Sequence, residues 1–523
     1  MMFNRMFACA VVCALFFGSV CASDLTPEQI EAYATKAVED FDVTGLAITV
    51  VSKDSTIFQK VYGVRDVRTQ QPIDENTIFP FASIGKAFTT TALAMLVDEG
   101  KLDWDDPVRK YIPEFEMSDP YITAEFSVRD LVTHRSGLPP GAGDLLVFPD
   151  ANPEVSDILA AIKHIPPTTS FRSEYAYDNL LYVVAGDVLS RIDGRPWHKV
   201  IEARIFKPLK MKSCEALPSK AAASKNTVTQ HLRDTTTWAA EPINPVYIIG
   251  DNVSPAGGLS CSITDLSKWA QFWLNNATTP SGQRLLSESQ AREVWTGVTP
   301  QGGGGIMAEL GGSHLSIYGL GWGLRDFHGK LLASHSGGVL GGSSYFGVLP
   351  EADTAVFVMS NVSTYASSAL ALQLLSDAAS SDANSDWLGR LFAIASGRKT
   401  AMQKDSGDSD GEDAVKDVAV EPARALDDYV GAYLDPWYGL VSIEIRAGAL
   451  FIDMSRSQAL DATLIPVAPD KFVARWPDRT LNADAYVIFS VEDDQVTGMT
   501  MEAVSDTTDF SFDFHDLKFT KNQ

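Results

Sequence analysis

Ser83-Ile84-Gly85-Lys86 places a hydroxyl and an amine three positions apart at the head of an apolar stretch. On a helix this spacing returns to nearly one face, so the Lys86 amine can reach Ser83 Oγ. A serine hydroxyl is a poor nucleophile until a neighbouring base takes its proton, after which it can attack a carbonyl. The pair therefore points to acyl transfer through a covalent acyl-serine. The pattern recurs at Ser396-Gly397-Arg398-Lys399, but there it borders a polar segment with no apolar helix after it and reads as accidental.

Context separates the two. Strand-like runs over Gly45 to Val51 and Thr56 to Val61 precede Ser83, and Ala87 to Leu96 has helical character that stops at Glu99-Gly100. Farther on, Tyr177-Asp178-Asn179 stands just before an apolar helix over Leu180 to Ile192. His335-Ser336-Gly337-Gly338 opens what reads as a glycine-rich turn leading into a strand over Tyr345 to Leu349. Ser-x-x-Lys, Tyr-x-Asn and a polar residue-x-Gly, in that order, resemble the three motifs of the serine β-lactamase and penicillin-binding-protein superfamily. Leu131-Val132-Thr133-His134-Arg135-Ser136-Gly137-Leu138, Pro255-Ala256-Gly257-Gly258-Leu259 and Tyr318-Gly319-Leu320-Gly321-Trp322 are similar to further segments of that family. The likeness spans residues 25–377 and is nearest to the class C-like esterases, D-aminopeptidases and D-Ala-D-Ala carboxypeptidases.

The resemblance implies a role for each matching residue. Ser83 would be the nucleophile, and Lys86 and Tyr177 would share the proton work, with either able to serve as the base. Asn179 would orient the substrate amide or Lys86. The backbone N–H groups of Ser83 and Gly338 would form an oxyanion hole, with Gly337 and Gly338 on a strand edge that a substrate backbone approaches closely. His335 departs from the lysine usual in β-lactamases. A histidine is a weaker anchor for a carboxylate, and its charge should vary near neutral pH. In the family it is typical of peptidases and carboxypeptidases.

Blander readings stand beside these. His134 reads as a hydrogen-bonded structural residue rather than a triad base, Tyr175 as packing, and Trp322 as a buried aromatic. Gly302 to Gly305 follow no evident strand and open no evident helix, so they read as a mobile loop near the site and not a phosphate cradle.

Composition points to an exported enzyme. Arg5, the apolar run Phe7 to Phe17 and Val20-Cys21-Ala22 read as a signal peptide over residues 1–22, too short to span a bilayer. Removing it leaves Cys214 and Cys261, whose pairing the sequence leaves open. No metal-ligand spacing occurs and no cofactor is expected. The formal charge of −25 argues against nucleic acid or an anionic membrane as partner. The expected partner is a small molecule or short peptide; the oligomeric state is open.

The expected fold is α/β (α+β): a β-lactamase-like antiparallel sheet flanked by helices plus an all-helical lobe, over residues 23–396. An acidic disordered linker is expected over 397–425, on the charge of Lys404 to Asp413. A β-rich accessory domain, barrel or sandwich, is expected over 426–523 from short alternating runs such as Leu440 to Arg446 and Ala485 to Val491. Tyr429-Val430-Gly431-Ala432-Tyr433 resembles the opening of a domain often appended to this family, whose job could be to shape the active-site mouth or aid dimerisation. The functional expectation is an exported serine hydrolase cleaving amide bonds of small peptides, D-residue-containing or non-ribosomal ones among the candidates. Its rivals are a broad-specificity carboxylesterase or β-lactamase and, in another class, a penicillin- or peptide-binding sensor or a transacylase with little hydrolysis.

Overall fold

The computed structural model describes residues 25–380, 385–407 and 420–522. The expected signal segment and most of the acidic run lie outside them.

An eight-stranded antiparallel sheet forms the centre of the larger unit. Its order is Thr56–Gly63, Gly45–Val51, Thr354–Ser360, Gly342–Leu349, Lys330–Val339, Gly323–Phe327, Ser316–Tyr318 and Thr299–Pro300. Gly45–Val51 is buried along its whole length, so apolar residues do not alternate with polar ones there. Its two faces feed two cores. Leu46, Ile48 and Val50 pack with the flanking helices Pro27–Asp40 and Ala366–Ala379. Ala47 and Val51 join the core built around helices Lys86–Asp98, Leu180–Asp193 and Ile263–Leu274.

Helix Lys86–Asp98 is the spine of the helical lobe. Every residue from Lys86 to Leu96 is buried, and its threonines satisfy themselves internally or on neighbouring backbone: Thr89 donates to the Pro255 carbonyl at 2.8 Å and Thr91 to that of Ala87 at 2.6 Å. The helix ends before Gly100, whose φ of +68° only glycine adopts without strain. Ahead of it, a small sheet pairs Ile78–Pro80 with Ser260–Ser262 and the latter with Cys214–Glu215. Cys214 and Cys261 face each other across that sheet and form a disulfide. The bond thus ties Cys214–Glu215 to Ser260–Ser262, the strand that pairs with Ile78–Pro80, which leads into the Ser83 turn.

Residues 431–521 form a closed eight-stranded antiparallel barrel, each strand pairing with the next and Lys518–Lys521 returning to Gly431–Asp435. Inward residues such as Tyr433, Val441, Ile452, Phe472, Val487 and Met501 fill it. Two-residue turns at Ala447-Gly448 and Asp493-Asp494, all four at positive φ, match the twist of the hairpins they close.

Four local expectations are corrected. His335 to Gly338 do not form a turn; they lie inside strand Lys330–Val339, and the chain reverses at Leu340-Gly341. Gly302 to Gly305 do follow a short strand, Thr299–Pro300, and lead into a short helix, Gly305–Gly311. The expected linker begins inside helix Trp387–Gly407, because Trp387, Leu388 and Leu391 bury against the sheet-flanking core while good helix formers carry the helix on. Ser396 and Lys399 therefore sit on a helix rather than at a polar boundary.

Candidate active site

Phe81 to Lys86 fold as a 3-10 turn, Ala82–Gly85, running directly into helix Lys86–Asp98. In a 3-10 turn residues i and i+3 eclipse, which brings Lys86 Nζ to 3.1 Å from Ser83 Oγ. The turn is under strain and clamped. Ala82 holds φ +52°, rare for a residue with a side chain. A Cβ on Gly337 would lie 2.4 Å from the Phe81 carbonyl, and one on Gly257 3.1 Å from the Ala82 carbonyl carbon. Ser344 Oγ donates to the same Phe81 carbonyl at 2.9 Å. Gly337 is thus glycine because the turn presses on it. Gly338, next along the strand, faces open space with no atom within 4 Å of where a Cβ would stand.

Lys86 is wholly buried at the meeting point of three acceptors. Its Nζ donates to Ser83 Oγ, to Asn179 Oδ1 at 2.8 Å and to the Ala256 carbonyl at 2.8 Å. Desolvation pushes the amine down to about 7, against opposing pulls from Asp144 and Asp178. Asn179 has its orientation fixed from behind, since its Nδ2 donates to both Asp144 oxygens, at 3.2 and 3.0 Å. Asp144 and Asp178 are buried, and desolvation raises them to about 8 and about 7.

Tyr177 closes the site from the side, its ring centroid 4.7 Å from Lys86 Nζ. Its hydroxyl is buried without a hydrogen-bond partner, and desolvation holds it well above the usual phenol range in spite of Ser83. The two base candidates therefore differ: at neutral pH the amine is partly free of its proton and the phenol keeps its own. His335 lines the cleft with Nε2 3.0 Å from the Tyr318 hydroxyl. Desolvation and then Lys86 push its imidazole down to about 4, so it is neutral near pH 7 and does not titrate there as the sequence suggests.

The structure thus brings together Ser83, Lys86, Tyr177, Asn179, His335, Gly337 and Gly338. His134 packs against Tyr177 with tilted rings 4.3 Å apart and accepts the Asp178 N–H at 3.1 Å on Nδ1, which supports the structural reading. Trp322 is fully buried. Tyr175, read as packing, lines the cleft. Sequence reasoning missed Asp144, the Ala256 carbonyl and a group of residues from the barrel. Phe510 packs edge-on against Tyr177 with centroids 6.2 Å apart, Ser511 Oγ donates to Asp144 Oδ2 at 2.9 Å, and Asp513 accepts the N–H groups of Gly143 at 2.8 Å and Leu145 at 3.1 Å. Only the Pro-Ala-Gly-Gly-Leu segment around Ala256 offered any signal. The cleft these groups enclose holds about 990 Å³ and is walled by both units and by helix Trp387–Gly407.

A serine whose hydroxyl touches a buried amine of lowered proton affinity, beside a tyrosine and a glycine strand, has the geometry to activate a hydroxyl for attack on a carbonyl. Residues 30–400 match the beta-lactamase family and residues 416–521 a domain of unknown function (DUF3471). The chain belongs to the β-lactamase and penicillin-binding-protein superfamily, and it is a serine hydrolase. It is 24% identical to the unguisins hydrolase ungD of Aspergillus violaceofuscus over 475 residues, 84% of this chain and 81% of that one. It is 26% identical to penicillin-binding protein 4 of Amycolatopsis lactamdurans over 342 residues, 64% of this chain and 84% of that one. The octameric penicillin-binding protein homologue from Pyrococcus abyssi shares the fold, with a TM-score of 0.58 at 20% identity, covering 94% of this chain and 99% of that one. Among the described residues no helix is long and apolar enough to cross a membrane.

Proposed function

We propose that the protein is an exported hydrolase that cleaves amide bonds of small peptides through an acyl-Ser83 intermediate. The observation that carries the chemistry is the Lys86 amine, buried, lowered to about 7 and 3.1 Å from Ser83 Oγ. Neutral Lys86 takes the Ser83 proton as Oγ attacks the substrate carbonyl. The N–H groups of Ser83 and Gly338 receive the developing oxyanion. The leaving amine takes a proton from Tyr177, whose phenol is replenished from Lys86. Water then attacks the acyl-serine by the same route in reverse and frees the acid.

Three features support a peptide as substrate. The cleft is roomy enough for several residues. Arg325 lines it, and its Nε is buried without a hydrogen-bond partner among the described residues, so a guanidinium is free to meet a carboxylate. The relative from Aspergillus is named a hydrolase of unguisins. Export is supported by the pattern of residues 1–22 and by the Cys214–Cys261 disulfide, which fits an oxidising compartment. We assign residues 23–407 to the hydrolase unit and 426–523 to the accessory barrel.

Mature protein incubated with short peptides of L- and D-residues, beside Ser83→Ala, tests this by mass spectrometry. Cleavage by wild type alone is expected, with the product ends showing where the chain is cut. Equal cleavage by both proteins, or by neither, defeats the peptidase reading. A stable Ser83 adduct without products would indicate a sensor, and turnover of esters or β-lactams alone one of the other hydrolases.

A further inference from the structure

Four hydrogen bonds, the first three of them buried, run in series from the barrel to the proposed nucleophile. Ser511 Oγ donates to Asp144 Oδ2 at 2.9 Å, Asp144 accepts from Asn179 Nδ2 at 3.0 Å, Asn179 Oδ1 accepts from Lys86 Nζ at 2.8 Å, and Lys86 reaches Ser83 Oγ at 3.1 Å. Asp144 and Lys86 are fully buried, while Asn179 and Ser511 are each 8% exposed and border the cleft, so the two ionisable groups depend on these bonds rather than on solvent. In such surroundings each bond is strong when made and costly when broken. Asp513, two residues on from Ser511, accepts the N–H groups on either side of Asp144 and fixes the turn that carries it.

We propose that the barrel completes the catalytic site: Ser511, acting through Asp144 and Asn179, is a positioning residue for Lys86. The reason lies in the two ends of the Asn179 amide. Lys86 needs the oxygen end, because the nitrogen end would present two N–H groups to an ammonium. Asp144 holds the nitrogen end away from Lys86, and Ser511 holds Asp144. Without the Ser511 hydroxyl, the fully buried Asp144 Oδ2 loses one of its two donors, and the carboxyl can rotate. The other groups around Lys86 include the Ala256 carbonyl, Asp178, His134, His335 and the rings of Tyr177 and Tyr182, none of which is part of this chain of bonds. The barrel is thus part of the machinery that sets the base in place, beyond any role in covering the cleft.

The inference rests on Ser83 being the activated nucleophile, so its test reads that activation directly, without a peptide substrate. Full-length wild type, Ser511→Ala, Ser511→Thr and Asp150→Ala would be labelled with a fluorophosphonate, and the rate of adduct formation on Ser83 followed by mass spectrometry. Asp150 binds Ser457 and the Ala459 N–H across the same two units but lies outside the chain of bonds, so its variant reports on docking alone. Ser511→Ala is expected to label about tenfold more slowly, Ser511→Thr to recover most of the rate, and Asp150→Ala to label as wild type does. Equal rates for wild type and Ser511→Ala, no recovery in Ser511→Thr, or a matching loss in Asp150→Ala would each overturn it. Failure of wild type to label at Ser83 would instead overturn the assignment of the nucleophile, and the inference with it.

Discussion

The turn that carries Ser83 and the barrel loop that carries Ser511 converge on one lysine, but they are held by different forces. The turn is locked by contact: Gly337, Gly257 and Ser344 press on Phe81 and Ala82 so closely that a single added carbon would clash, and Ala82 is forced to φ +52°. The loop is held by polar bonds, through Ser511 and Asp513, and leaves the large Phe510 side chain 51% exposed at the cleft. Close packing tolerates almost no displacement, which suits the atoms that react. Hydrogen bonds fix orientation and charge, which suits the groups behind them. Position at this site is therefore set by sterics inside the hydrolase unit, while a buried polar chain that crosses into the barrel orients the groups behind an amine whose proton affinity burial lowers.

The sharpest way to break that division is at Lys86, where both influences meet. Lys86→Met removes the proposed base while keeping most of the side-chain volume, and kcat/KM on any cleaved substrate should fall by roughly 10²- to 10⁴-fold. Under the proposed mechanism the amine acts only when neutral, so kcat/KM should rise with pH through about 7, the value to which burial lowers it. Persistence of that limb in Lys86→Met would transfer it to another group. Tyr177 is the obvious rival, but its phenol lies well above the usual range and would place the limb far into alkali.

The steric half of the comparison is sharpened by two neighbouring glycines. Gly337→Ala drives a methyl into the Phe81 carbonyl and should cost about 1–3 kcal/mol of stability, read by thermal or urea unfolding. Gly338→Ala adds the same methyl to open space, so the melting temperature should stay near that of wild type while turnover falls, the methyl standing where substrate must lie. A stable Gly337→Ala, or an unimpaired Gly338→Ala, would show that the strand does not present itself in this way.

How far the site could be read beforehand follows the same line. Ser83 with Lys86, Tyr177 with Asn179, and His335 with Gly337 are local patterns, and their spacing survives in the sequence. Asp144 and Ser511 lie 367 residues apart, and nothing near either betrays the bond between them. The charge of His335 misled for a similar reason, since its environment is assembled by Tyr318 and Lys86 from other elements. In the fold, strands such as Gly45–Val51 and Gly342–Leu349 were legible from their apolar runs, whereas in Lys330–Val339 the glycines read as a turn. Ala462–Ala468, interrupted by Pro466, and the four-residue Lys518–Lys521 carried too little pattern to stand out. The helix to Gly407 was obscured because the acid-rich segment after Lys404 dominates the local composition.

The polar half makes a further, smaller demand on stability. Asp178 is buried behind Lys86 with one oxygen accepting the Leu181 N–H at 2.9 Å and the other unbonded, and desolvation raises it to about 7. A carboxyl raised in the folded state binds more protons there than in the unfolded chain. Its contribution is full below the unfolded value near 4 and is lost as pH rises through about 7. Asp178→Asn keeps the acceptor for Leu181 and removes the titration. Relative to wild type, the variant should therefore gain stability between pH 5 and pH 8, by on the order of 1 kcal/mol, seen as a melting temperature that declines less across that range. A difference that stays flat with pH would mean that Asp178 is ionised throughout and paired with the Lys86 ammonium, and the polar chain behind Ser83 would then hold its lysine charged instead of free.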